Sequence, residues 1–124
     1  ADYGPNPYVV VGEGELSPFG SLIAYPANGE LLIAQVTSPG APQAAVPYDG
    51  LSGFAFSPSG EQVVVADGTT LSIYSTADGS LVASAADESG ATVTAPSWGE
   101  DGIRYLEVAG ATRLKLVQPE SFQG

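Results

Sequence analysis

The chain of 124 residues sets 14 Asp and Glu against 3 Lys and Arg, a formal net charge of −11, and contains no His, Cys or Met. An acidic body is repelled by nucleic acid and by anionic membrane surfaces, and without Cys and His there are no disulfides, no thiolate metal sites and no Ser–His or Cys–His nucleophile pairs. With 44% apolar residues, 16 Gly and 10 Pro, the composition is that of one folded, turn-rich β domain.

The first residues, "ADYGPNPY", combine two Pro, a Gly and two Tyr and predict a stiff extended arm, with Tyr3 and Tyr8 as anchors on a partner because Tyr contributes large contact area at low entropy cost. "PYVVVGEG" (Pro7 to Gly14) then reads as an isolated strand with Tyr8, Val9 and Val11 at its centre. The Gly-x-Gly of "VGEGEL" precedes neither a Lys nor a helical pattern, so its glycines relieve a bend rather than cradle phosphate. A start at Ala1 in a chain rich in Gly, Pro, Ser and Thr is expected of a mature, extracytoplasmic product after signal-peptide removal. The longest apolar runs fall far short of the roughly 20 residues of a membrane-spanning helix.

From Leu16 onward one phrase occurs three times: "LSPFGSLIAYPANGELLIAQV" (Leu16 to Val36), "FSPSGEQVVVADGTTLSIYS" (Phe56 to Ser75) and "WGEDGIRYLEVAGATRLKLV" (Trp98 to Val117). Aligned on Gly20, Gly60 and Gly102, the units are spaced by 40 and 42 residues, a period characteristic of repeat architectures. Each opens with a large apolar residue and a turn ending in Gly, where Pro18 and Pro58 preset φ and the Gly accepts a positive value. A β-rich run follows, then a second turn, then another run. Asn28-Gly29 and Asp67-Gly68 are expected to be the two centres of type I′ hairpin turns. Weaker fourth segments, "PQAAVPYD" and "SLVASAAD", close units one and two, whereas unit three stops after its third strand with "SFQG" left.

The Phe/Trp-Ser-Pro-Ser/Asp-Gly phrase followed by two short strands resembles TolB-like and WD-repeat-like β-propeller blades over about Leu16 to Val117. The chain departs from that pattern in having no Trp-Asp dipeptide and only three units. The resemblance implies an all-β fold of three four-stranded antiparallel β-propeller blades, and it carries over no functional residue. The organisation expected is an arm and exchanged strand at 1–15, followed by repeats at about 16–53, 54–95 and 96–124.

Propellers close with roughly 4 to 8 blades, so three need completion by strand exchange or oligomerisation. The orphan strand is the candidate for the missing fourth strand of unit three. Two copies would form a six-bladed ring, each lending Tyr8 to Val11 to the other's edge near Leu114 to Val117. Glu13 and Glu15 would then approach Arg113 and Lys115, which with Arg104 are the only bases in the chain. The predicted partner contacts are thus Tyr3, Tyr8, Val9, Val11, Arg113 and Lys115. Competing possibilities are an excised part of a longer propeller, a filament, and a β-sandwich of about ten strands.

Reactive chemistry is sparse. Most acids fall in turns such as "DG" and "GED", where a backbone role accounts for them. "YDGLSG" (Tyr48 to Gly53) and "DES" (Asp87 to Ser89) offer oxygen ligands for Ca²⁺ but match no twelve-residue EF-hand loop. The aromatics Phe54, Phe56, Tyr74, Trp98 and Tyr105 alternate along strands as core residues do. The expected function is a non-enzymatic structural or protein–protein interaction module without cofactor or metal, assembling with copies of itself or within a larger complex. The alternative is a ligand-binding or hydrolytic propeller with carboxylates lining its channel.

Overall fold

The computed structural model describes residues 15–18, 20–27, 29–38, 40–48, 53–87 and 89–123. Among them are eleven strands in three antiparallel sheets and no α-helix, hence no helix long and apolar enough to cross a membrane. Blade 1 comprises β1 (Glu15–Leu16), β2 (Leu22–Ala27), β3 (Glu30–Gln35) and β4 (Ala44–Pro47). Blade 2 comprises β5 (Phe54–Phe56), β6 (Gln62–Asp67), β7 (Thr70–Ser75) and β8 (Leu81–Ala86). Blade 3 comprises β9 (Thr92–Gly99), β10 (Gly102–Ala109) and β11 (Ala111–Val117). Within each sheet the strands lie side by side in chain order, as a meander.

The turn chemistry is local. In the Ser-Pro-x-Gly turns the N–H of Gly20 donates to the Ser17 carbonyl at 2.8 Å and that of Gly60 to the Ser57 carbonyl at 2.9 Å, with φ of 73° and 79° at the two glycines. The buried hydroxyls of Ser17 and Ser57 accept the N–H of Leu22 and Gln62, each at 3.1 Å, and so join the turn to the next strand. In the inner hairpin of blade 2, Asp67 pairs with Thr70, so the turn centres are Gly68 and Thr69 rather than Asp67 and Gly68. Only Gly68, at φ 61°, is left-handed there, which fits a turn with Gly at its first centre and corrects the expected type I′. Asn28 lies outside the described residues.

β9 carries the main irregularity. Ser97 pairs with Arg104 and Thr94 with Leu106, so Ala95 and Pro96 together oppose Tyr105 in a bulge. Pro96 has no N–H for a ladder, and Ala95 takes the positive φ of 53° that the extra residue imposes.

Blade 2 is buried on both faces. Phe54, Phe56, Val63, Val65 and Tyr74 pack against Ala24, Leu31, Ile33, Ala44 and Val46 of blade 1. Ala55, Val64, Ala66, Leu71, Ile73 and Ala83 pack against Val93, Ile103 and Tyr105 of blade 3, with Trp98 at the border. This explains the continuous run "VVVA" in β6, where all four residues are buried: a strand covered on both sides has no polar face to alternate with. The five aromatics sit between blades, as their spacing predicted.

One polar contact fastens blade 1 to blade 2, and a second braces blade 2 beside it. Gln43 Nε2 donates to the Thr76 carbonyl at 2.8 Å, and the buried Thr76 hydroxyl donates to the Gly60 carbonyl at 2.8 Å. At Gly79 the blades meet so closely that a Cβ would stand 2.8 Å from the Ala45 carbonyl oxygen. Gly79 and Gly68 share the left-handed backbone, at 79° and 61°, but only Gly68 has open space around it. Gly68→Ala should therefore cost about 1 to 2 kcal/mol of backbone strain, and Gly79→Ala roughly 1 to 3 kcal/mol more from the clash. Urea midpoints of the two variants measure the difference.

Candidate interaction edge

β11 is the last strand of its sheet: β10 pairs along one side of it, and among the described residues no strand pairs along the other. Such an edge presents a row of backbone donors and acceptors to any extended chain of matching length. In blades 1 and 2 the corresponding side of the third strand is taken by β4 and β8. Arg113 and Lys115 both lie on β11 and are exposed. They share one sheet face, because Arg113 pairs with Glu107 and Lys115 with Tyr105. Tyr3, Tyr8, Val9 and Val11, the other predicted contact residues, lie outside the described residues, as do Glu13 and the orphan strand.

A cleft of about 370 Å³ opens beside this edge, between β8 and β11. Leu71, Ala85 and Val117 contribute apolar walls; Asp87, Tyr105 and Lys115 contribute polar groups. Asp87 is buried, and its carboxylate takes four donors: at Oδ2 the Ser89 hydroxyl at 2.7 Å, the Ser89 N–H at 3.2 Å and the Ala91 N–H at 3.1 Å, and at Oδ1 the Tyr105 hydroxyl at 2.9 Å. Ser89 also lies 2.9 Å from Oε2 of the buried Glu107. The cluster ties the β8–β9 loop to β10 and so holds blade 3 against blade 2. Burial alone would push the Asp87 carboxyl up, but the hydrogen bonds from Ser89, Ala91 and Tyr105 outweigh it and hold the group well below the usual carboxylate range. Here Asp87 and Ser89 of "DES" serve an inter-blade tie. Among the described residues no three His, Cys, Asp or Glu side chains converge as a metal site would require.

Arg104, the third base, is engaged locally. Its guanidinium makes a two-pronged ion pair with Asp101, which lowers the aspartate below its ordinary value.

The segment after β11 was not legible as structure. Pro119–Ser121 forms a 3-10 turn, and Gln123 then bridges to Ser84 of β8 through paired backbone hydrogen bonds of 2.8 and 2.9 Å. The bridge carries Phe122 into the core between blades 2 and 3. A turn-forming Pro-Glu-Ser followed by one large apolar residue was the available signal. Among the described residues, those that follow β11 therefore turn to blade 2 and add no fourth strand to the sheet of blade 3.

These observations define the class: three consecutive β-propeller blades. The fold is shared with solved propeller proteins. Hsv2 of Kluyvelomyces marxianus matches at 20% identity with a TM-score of 0.55 over 83% of this chain and 34% of its own. The dihydro-heme d1 dehydrogenase NirN, solved in complex with DHE, matches at 20% identity with a TM-score of 0.56 over 86% of this chain and 28% of its own. The chain thus spans about a third or less of either neighbour's chain, and likeness at this identity concerns fold alone. No protein-family model and no curated protein matches the sequence.

Asp87→Asn removes the charge that these donors serve and should destabilise the chain by about 1.5 to 3 kcal/mol at neutral pH. Because the folded value is depressed, the folded state holds fewer protons than the unfolded one. The contribution is therefore complete above the unfolded value near 4 and fades as pH falls toward the folded value. Urea midpoints of parent and variant should converge as the pH drops from about 4.

Proposed function

We propose that the chain is a non-enzymatic interaction module of β-propeller type, whose open edge at β11 takes up an extended strand, and that this strand is Tyr8 to Val11 of a second copy. The observation that carries the reading is the position of β11 at the end of a three-stranded sheet beside two four-stranded ones. Both sheets with four strands use their fourth to cover the edge that blade 3 leaves open. The sequence Tyr8-Val9-Val10-Val11 has the β-branched and aromatic composition of a strand, and Glu13 and Glu15 follow it closely. Antiparallel addition to β11 would bring Glu13 toward Arg113 and Lys115, a contribution of about 0 to 1 kcal/mol for an exposed pair, whereas Glu15 stays in β1, paired with Ala24. The main-chain ladder would provide most of the affinity, and alternate side chains would fill the cleft beside Lys115.

Support for a non-enzymatic role comes from the residue inventory, with neither His nor Cys in 124 positions. The same reading places the protein outside the cytoplasm, on the strength of its Gly-, Pro-, Ser- and Thr-rich composition. Tyr3 would act as an outlying anchor where the arm leaves the ladder.

Light scattering across a dilution series tests the proposal. The full chain should have the mass of two copies, and deletion of residues 1–12 should reduce it to one copy. A truncated chain that keeps the parent mass overturns the exchange.

A further inference from the structure

We propose that the face blade 3 turns away from blade 2 docks against the outward face of blade 1 of a second copy, head to tail. The inference rests on the self-association proposed above and adds the surfaces that would meet.

The outward face of blade 3 follows from the register. Leu106 pairs with Leu114, Val108 with Thr112 and Arg104 with Leu116, so these side chains share the side opposite Ile103 and Tyr105. Leu114 is 67% exposed, Leu116 51% and Val108 41%. Blade 2 shows what such positions do when a blade follows. Counted from the turn glycines Gly60 and Gly102, Val64 corresponds to Leu106 and Ala66 to Val108, and Ile73 pairs with Val64 as Leu114 pairs with Leu106. Val64, Ala66 and Ile73 are all buried, because blade 3 lies on them. Blade 3 therefore presents the chemistry of a blade-to-blade face, and among the described residues no blade lies on it.

The chain also contains the surface that such a face receives. Phe56, Val63 and Val65 of blade 2 pack on blade 1, and their counterparts one repeat earlier are Leu16, Ile23 and Tyr25. Leu16 pairs with Ile23, which places both on the side of blade 1 away from blade 2, and Leu16 is 56% exposed. A second copy offering blade 1 to blade 3 would repeat the packing already made twice within each chain.

Charge favours this junction over others. In β9–β11, Arg104, Arg113 and Lys115 balance Glu100, Asp101 and Glu107, whereas β1–β4 contain Glu15 and Glu30 and no base. In a molecule of net charge −11, contact between copies is least opposed where one side is the neutral blade. Two such junctions close six blades, within the roughly 4 to 8 of closed propellers.

Because each junction joins two different faces, blade 3 of one copy and blade 1 of the other, paired variants can test it. Sedimentation of the full chain should show a pair, and Leu114→Asp and Leu16→Asp should each give a monomer with the strand circular dichroism intact, the affinity falling at least about tenfold. An equimolar mixture should pair again through one junction, where the intact blade 3 of the Leu16→Asp chain meets the intact blade 1 of the Leu114→Asp chain, while the other junction, with Asp on both faces, stays open. If either Asp unfolds the protein, Leu116→Ser and Leu16→Ser are read in the same way.

A monomeric parent chain overturns the proposal, as does a Leu16→Asp chain that stays paired while Leu114→Asp does not, which would mean blade 3 meets itself. Folded variants that fail to pair when mixed also overturn it. Deleting residues 1–12 separates the faces from strand exchange. A truncated chain that remains paired while Leu114→Asp dissociates supports the faces alone. Pairing lost on truncation but kept in both Asp variants overturns the faces and leaves the exchange standing.

Discussion

The structure depends on blade 2 being covered on both sides. β6 contributes four consecutive apolar residues, all buried, to two separate cores: Val63 and Val65 to one, Val64 and Ala66 to the other. A lone sheet of this composition would expose two apolar faces, so blade 2 is stable only as the middle of a stack. Blades 1 and 3 each satisfy one of its faces and in doing so leave one of their own outward. The apolar positions on those outward faces are thus a consequence of repetition and not independent features.

Apolar packing sets the stacking, and polar groups fix its geometry at the ends of the strands. Ser17 and Ser57 close the turns from within, Thr76 ties the third strand of blade 2 to the turn at Gly60, and Asp87 gathers the β8–β9 loop onto Tyr105. All four are buried, and each has partners that offset its desolvation. Close approach does the rest: at Gly79 the hairpin of blade 2 touches the backbone of β4, where only a missing side chain leaves room.

What could be read in advance was local. The Ser-Pro-x-Gly turns depend on residues next to one another, and Gly20 and Gly60 take the positive φ expected at their ends. The period of about 40 residues likewise showed that one supersecondary unit is stacked on copies of itself. The hairpin in blade 2 was misplaced by one residue, because Asp-Gly and Gly-Thr both satisfy turn chemistry and only the pairing of Asp67 with Thr70 chooses between them. The Asp87 tie was invisible, since its donors Ser89 and Tyr105 are 2 and 18 residues away and meet only when two blades pack. Phe122 was missed for the same reason: its destination belongs to a different blade from the strand that precedes it.

The sequence by itself determined the class of fold, the repeat and most strand positions, because turn residues and apolar runs act over a few neighbours. It also set the charge imbalance, with every base at or beyond Arg104. The tertiary structure alone decided which apolar residues are covered. Val64 and Leu106 occupy equivalent positions in equivalent strands, yet one lies in a core and the other faces outward. The difference is the presence or absence of a following blade, and burial is a property of what packs against a residue and not of the residue.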